Sequence, residues 1–248
     1  MNPALVTSLA AVGLGASWAQ RAVILRYAVP AREPPLRTCA GCGQQLLAVP
    51  QIARAPLARC TACGEPAGPP PMTVEATTVI LLAALAARVH PALVLVAACW
   101  LALCAVPLAF TDIAVRRLPD TLTGPALAGT AALLTAAAAA DGDWTPIARA
   151  ALGAAALSGF LLLLALISPS GMGLGDAKAA PALGALLAWH SWAALLAGSL
   201  AGVLLAAHLI TRHATRKHQD PLRALHDHRR VPRHPHRRHV GSGLGNVA

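Results

Sequence analysis

Two aspartates and four cysteines are the residues of this 248-residue chain whose type and spacing could do chemistry. Asp112 stands in Phe110-Thr111-Asp112-Ile113-Ala114-Val115-Arg116-Arg117-Leu118-Pro119-Asp120, and Asp176 in Gly171-Met172-Gly173-Leu174-Gly175-Asp176-Ala177-Lys178. Each lies at the edge of an apolar stretch. Carboxylates at membrane depth are costly and are functional candidates by default. Two that approach closely cannot both ionise easily, so one keeps its proton while the other acts as base. That division suits peptide hydrolysis: the ionised carboxylate activates a water and the protonated one polarises the scissile carbonyl. Taken singly, each has a plainer reading. Asp112 could pair with Arg116 four residues on, and Asp176 could cap the helix it opens. Gly171, Gly173 and Gly175 leave bare backbone before Asp176, where an extended substrate strand could approach. Lys178, two positions from Asp176, would point away from it on a helix and marks the membrane boundary. Asp120 is expected to cap the helix after Pro119, or else to assist the site.

Cys39-x2-Cys42 and Cys60-x2-Cys63 are separated by seventeen residues. Each short turn lets two thiolates bind one ion, and two turns complete a tetrahedral zinc site. Four thiolates leave no open coordination position, so the zinc expected here is structural. The alternatives are four reduced thiols, or disulfides were the loop extracellular; a cytoplasmic loop disfavours the latter. Cys99 and Cys104 lie in an apolar run and read as small hydrophobes.

The elements that must position these residues are membrane helices. The chain is 56% hydrophobic and only 12% charged, against about 25% charged in soluble domains. Apolar segments run over about 4–25, 74–87, 91–110, 121–140, 147–167, 179–190 and 193–210. A bilayer core takes roughly 20 residues of helix, so the second and sixth are short. With the segment 26–73 inside, eighteen of the twenty Lys and Arg fall on the cytoplasmic side, and only Arg88 and Arg149 outside. That bias sets an N-terminus-out, C-terminus-in topology with seven spans. The third helix then ends at Asp112 and the sixth begins at Asp176, which puts both carboxylates at one membrane face.

The expected fold is all-α: a polytopic transmembrane bundle of about seven helices with a small cytoplasmic zinc-ribbon-like loop. Its parts are a first transmembrane helix (1–29), the four-cysteine loop (30–72), a transmembrane core (73–210) and a basic His- and Arg-rich tail (211–248), disordered or lying on anionic headgroups. The first span is expected to stay as an anchor rather than be cleaved. The net charge of +10 is a topology signal, and nucleic acid is not an expected partner. No Walker-type loop, nucleotide fingerprint, Ser/His constellation or internal repeat stands out. Glu75 reads as a helix-start charge complementing the dipole. His90 and His190 read as interfacial, and His208 has no acidic neighbour.

These motifs resemble the type IV prepilin peptidases, aspartic intramembrane peptidases with a G-x-G-D motif. Gly173-Leu174-Gly175-Asp176-Ala177-Lys178 matches G-x-G-D-x-K, and Asp112 with Leu118-Pro119-Asp120 matches an Asp followed by L-P-D. The paired C-x-x-C loop is similar to that of the bifunctional branch, although Ala40 follows Cys39 where the family often has Pro. The resemblance covers about residues 5–210. It implies that Asp112 and Asp176 are the catalytic pair, supported by Gly173, Gly175, Lys178 and Asp120. It implies cleavage of the short basic leader from prepilins or pseudopilins at the cytoplasmic face of the bacterial inner membrane. It also implies N-methylation of the new terminus from S-adenosylmethionine where the second activity is kept. Two other classes fit the residues less well. A proton-coupled transporter would hold its carboxylates near the bilayer midplane. A non-catalytic assembly factor would use the zinc loop as a docking module.

Overall fold

Long apolar runs broken by Pro, Gly or charge each become a helix, because a backbone in lipid must satisfy its own hydrogen bonds. The computed structural model describes residues 3–29, 38, 39, 41–45, 59, 60, 62–65, 68–115, 118–167 and 174–218. Among them are seven helices: α1 (Pro3–Tyr27), α2 (Thr73–Arg88), α3 (Ala92–Val115), α4 (Asp120–Asp141), α5 (Thr145–Ile167), α6 (Leu174–His190) and α7 (Trp192–His218). The first, third, fourth and fifth are long and apolar enough to cross a membrane. At 16 and 17 residues, α2 and α6 fall short, as their sequences foretold.

The chain forms two units, Met1–Gly198 and Ser199–Ala248. In the second, α7 continues to His218. The tail 211–248 is expected to be disordered or to lie on anionic headgroups, and its first eight residues continue the helix. It holds helix longer because Thr211 to His218 contains neither Pro nor Gly, and the first breaker is Pro221. The remainder of the tail, 219–248, lies outside the described residues.

Within the first unit α3 is central. Its Leu95, Cys99 and Ala102 pack on Leu82 of α2 with Leu9 of α1 alongside, and Val106 packs on Ile24 and Val74. On its other side Val94 and Ala97 meet Leu134, Ala137, Ala185 and Trp189 of α4 and α6. Outward residues are apolar too: Leu152, Phe160, Leu163, Leu166 and Ile167 of α5 are 54–71% exposed. Such a continuous apolar surface suits lipid rather than water.

Proline shapes the centre of the bundle. Pro107 inside α3 brings no backbone N–H, so the carbonyl of Leu103 loses its helical donor. Gln20 of α1 replaces it, its Nε2 donating to that oxygen at 3.0 Å, while Gln20 Oε1 accepts from Thr78 of α2 at 2.7 Å. Three helices are thereby tied by one amide.

Small residues set the approach of α5 to α6. A Cβ on Gly153 would collide with the Ala188 methyl and stand 2.8 Å from the Gly184 carbonyl, and one on Gly184 would stand 2.5 Å from the Gly153 carbonyl. Backbone cannot yield as a side chain does. Gly153→Ala is therefore expected to cost on the order of 1–3 kcal/mol through overpacking, read as a lowered melting temperature in detergent. Gly159→Ala, with open space around it, is the control that should leave melting no lower than the wild type's.

Beside this crossing, Arg149 of α5 donates to the carbonyls of Ala188, at 2.6 Å, and Trp189 at the end of α6. These are orphan acceptors of a helix C-terminus, where a cation is favoured. Arg149, one of the two cations expected outside, thus has a local structural reason for its place.

Candidate aspartate site and four-cysteine centre

Successive helices alternate direction, so the end of α3 and the starts of α4 and α6 meet at one end of the bundle. Asp112 lies in the last turn of α3 rather than beyond it, because the helix runs on to Val115. Asp176 is the third residue of α6, inside the first turn, so it is not the helix cap. Both carboxylates are partly buried. Asp112 stands where α3 ends and Asp176 where α6 begins, at the same end of the bundle. Arg116, the alternative partner of Asp112, lies outside the described residues.

The neighbouring acidic and basic groups take partners that differ from those expected. Pro119 occupies the cap position of α4, and no side chain caps it. Asp120 instead accepts a hydrogen bond from Lys178 Nζ at 2.7 Å, an exposed ion pair joining the starts of α4 and α6. Lys178 is thus more than a boundary marker. Gly175 corrects another expectation. Its missing side chain leaves room for Leu118, whose Cβ and Cδ1 lie 3.0 Å from where a Gly175 Cβ would be. Close packing against Leu118 is one reason for that glycine. Gly171 and Gly173 lie outside the described residues.

Glu75 stands in the first turn of α2, as expected, and has a tertiary partner besides. It receives Nε and Nη2 of Arg21 at 2.5 and 2.8 Å, a two-pronged pair with both side chains at most 2% exposed. The remaining Arg21 donors reach the carbonyls of Pro69 and Pro70 at 3.0 and 2.9 Å. The guanidinium therefore ties α1 and α2 to the exit of the cysteine loop. That loop joins α1 to α2 at the end of the bundle where Asp112 and Asp176 sit.

The four cysteines come together as two copies of one turn. Gly43 N donates to the Cys39 carbonyl and Cys39 N to that of Gln44; Gly64 N donates to the Cys60 carbonyl and Cys60 N to that of Glu65. Gly43 and Gly64 both sit at φ 74°, a left-handed conformation that other side chains rarely adopt. The repeat Cys-x-x-Cys-Gly, twenty-one residues apart, is visible in the sequence once the turns are known. Sγ atoms meet across the copies, Cys39 to Cys63 at 3.6 Å and Cys42 to Cys60 at 3.7 Å, and all four lie within 4.8 Å of one another. These separations are far beyond a disulfide bond of about 2.05 Å. Backbone N–H groups of Cys63 and Ala62 aimed at its sulfur pull the Cys60 thiol down to about 6. The cluster is positioned to bind a metal ion.

Residues 95–210 match the type IV leader peptidase family. The prepilin leader peptidase/N-methyltransferase of Aeromonas hydrophila is 34% identical over 160 residues, an alignment covering 61% of this chain and 53% of that protein. The chain thus spans about half the length of this curated relative. No solved structure matches it. The matched stretch, residues 95–210, holds Asp112, Asp120, Asp176 and Lys178, and it is there that the chain is similar to the type IV leader peptidase family.

Proposed function

We propose that this protein is a membrane-embedded aspartic endopeptidase that removes the short basic leader from prepilins or pseudopilins at the cytoplasmic face of the inner membrane. The observation that supports the reading is the placement of Asp112 in the last turn of α3 and Asp176 in the first turn of α6, at one end of the bundle. Two carboxyls so placed hold one proton between them. The ionised member takes a proton from water as that water attacks the scissile carbonyl carbon. The protonated member donates to the carbonyl oxygen; as the C–N bond breaks, the first carboxyl passes the proton it took from water to the leaving amine and the diol returns the other proton to its donor. Which aspartate plays which part belongs to the pair rather than to either residue.

The charge distribution supports an orientation with the N-terminus out and the C-terminus in. Arg21 is neutralised by Glu75, and setting it aside leaves the inward excess of Lys and Arg intact. The site then faces the cytoplasm, where a basic leader would be presented.

Zinc is the metal we propose for the cysteine centre. Four thiolates at about 2.3 Å around a tetrahedral ion stand about 3.8 Å apart, and the 3.6 and 3.7 Å separations across the turns fit that figure. Cys39, Cys42, Cys60 and Cys63 would hold it, with no position left for substrate. One zinc per chain is expected by metal analysis of the purified protein, lost in Cys39→Ser/Cys60→Ser. Leader cleavage should outlast that loss, since no step of the hydrolysis passes through the metal. Zinc-dependent cleavage in a metal-free protein that inserts and melts as the wild type does would contradict the structural role.

The relative's name includes N-methyltransferase, and we extend that second activity to this chain, with S-adenosylmethionine supplying the methyl group to the new N-terminal amine. Co-expression with a prepilin-like protein of the same genome tests both activities. The mass of the partner's N-terminus is expected to show the leader gone and one methyl group added. An intact leader in the presence of the wild-type protein would sink the peptidase reading; a shortened, unmethylated terminus would remove the methyl transfer alone.

A further inference from the structure

Leu118, just before α4, and Asp120, its first residue, grip the start of α6 at two points, one on each side of Asp176. Before it, Leu118 fills the space left by Gly175, with its Cβ 3.0 Å and its Cγ 3.2 Å from the position a Gly175 Cβ would take. After it, Lys178 reaches Asp120 at 2.7 Å. Residues 175 and 178 are three apart and share a helix face. That face is seated on Leu118 and Asp120, and Asp176 lies about 100° further round the axis. Rotation of α6 by one residue would turn Asp176 away from Asp112.

Stability does not account for the ion pair. Its two side chains are 55% and 72% exposed, and pairs so exposed add little to a fold. Its value lies in its place. Gly175, Asp176 and Ala177 offer little apolar side chain of their own with which to fix the rotation of this first turn.

We propose that Asp120 and Lys178, with the Leu118–Gly175 contact, are positioning residues that set the rotation of α6 and so hold Asp176 toward Asp112. This deepens the peptidase reading and rests on it for the activity readout alone.

The first test needs no activity. In membranes, Asp112→Cys/Asp176→Cys in a Cys99→Ala/Cys104→Ala background is treated with a short bismaleimide, and the 112–176 linked peptide is quantified by mass spectrometry. Adding Lys178→Met is expected to slow linking by up to about fivefold, the most an exposed pair can bias an equilibrium. The exchange Asp120→Lys/Lys178→Asp should restore the rate. Gly175→Ala should slow it also, and Leu118→Ala should relieve that defect.

The second test is the pH dependence of leader cleavage. The described charged groups at this end of α3, α4 and α6 are Asp112, Asp120, Asp176 and Lys178, and α5 ends there without charge. Losing the Lys178 charge alone would favour protonated carboxyls and move the alkaline limb up. Letting the two carboxylates separate weakens their repulsion and moves it down. Lys178→Met is expected to move it down, with recovery in the charge exchange. Unchanged linking rates with a limb that stays or rises would overturn the proposal and leave an ordinary surface pair. A wild-type protein that cleaves nothing would remove the peptidase reading, while the linking rates would still decide the positioning role.

Discussion

Asp112→Asn and Asp176→Asn are each expected to lower leader cleavage by about 10²–10⁴-fold while the protein still inserts and melts as the wild type does. Asparagine keeps the shape of the side chain but can neither accept the water's proton nor pass one to the leaving amine. Since the two carboxyls act as one unit, the double variant should be no slower than the slower single one. A multiplicative loss would mean that the aspartates serve separate steps. Activity in reconstituted membranes, with inserted protein quantified alongside, checks this. The same experiment separates the peptidase from a transporter using the same carboxylates, for which leader cleavage would be absent from the start.

The second large effect concerns the fold around the cysteine loop. Glu75→Ala leaves Arg21 charged and without its carboxylate in a position only 1% exposed. Removing one partner of a buried pair costs about 3–5 kcal/mol, which is expected to appear as a large drop in melting temperature or as loss of inserted protein. Replacing both, Arg21→Met/Glu75→Leu, should recover most of the stability, because apolar side chains of similar volume need no compensation. The recovery should be incomplete in one respect. The carbonyls of Pro69 and Pro70 lose their Arg21 donors, so the double variant should be cut faster by protease at the loop exit. Equal protease resistance would show that the pair steadies the helices without holding the loop.

Much of this architecture is legible in the sequence, for identifiable reasons. Helices in lipid depend on long apolar runs, so all seven segments became helices and the two short ones remained short. The alternation of direction follows from their number, and it places Asp112 and Asp176 at one end before any coordinates are considered. C-x-x-C is a local turn, and its spacing carries its geometry. What escaped the sequence reading is pairing across distance. Glu75 and Arg21 are 54 residues apart, and Asp120 and Lys178 are 58 apart. Each side chain had a sound local role that a tertiary partner displaced. Glu75 stands in a first helical turn, as a dipole partner would, yet the guanidinium beside it binds far more strongly. Pro119 took the cap position that Asp120 was expected to fill. Gly175 was read as a gap for substrate because nothing local reveals that Leu118 fills it. Pro107 could have been found: a proline within a membrane helix orphans a carbonyl, and a polar residue on a neighbouring helix, here Gln20, is the expected repair.

The reading depends on the approach of residues 112 and 176, and paired spin labels report that approach directly. Labels at Asp112→Cys and Asp176→Cys, in lipid and with Cys99 and Cys104 replaced by alanine and Cys39, Cys42, Cys60 and Cys63 by serine, should give a spectrum broadened by dipolar coupling well beyond the sum of the two singly labelled proteins. A doubly labelled spectrum equal to that sum would place the two carboxylates too far apart to share a proton or a water, and would contradict the account.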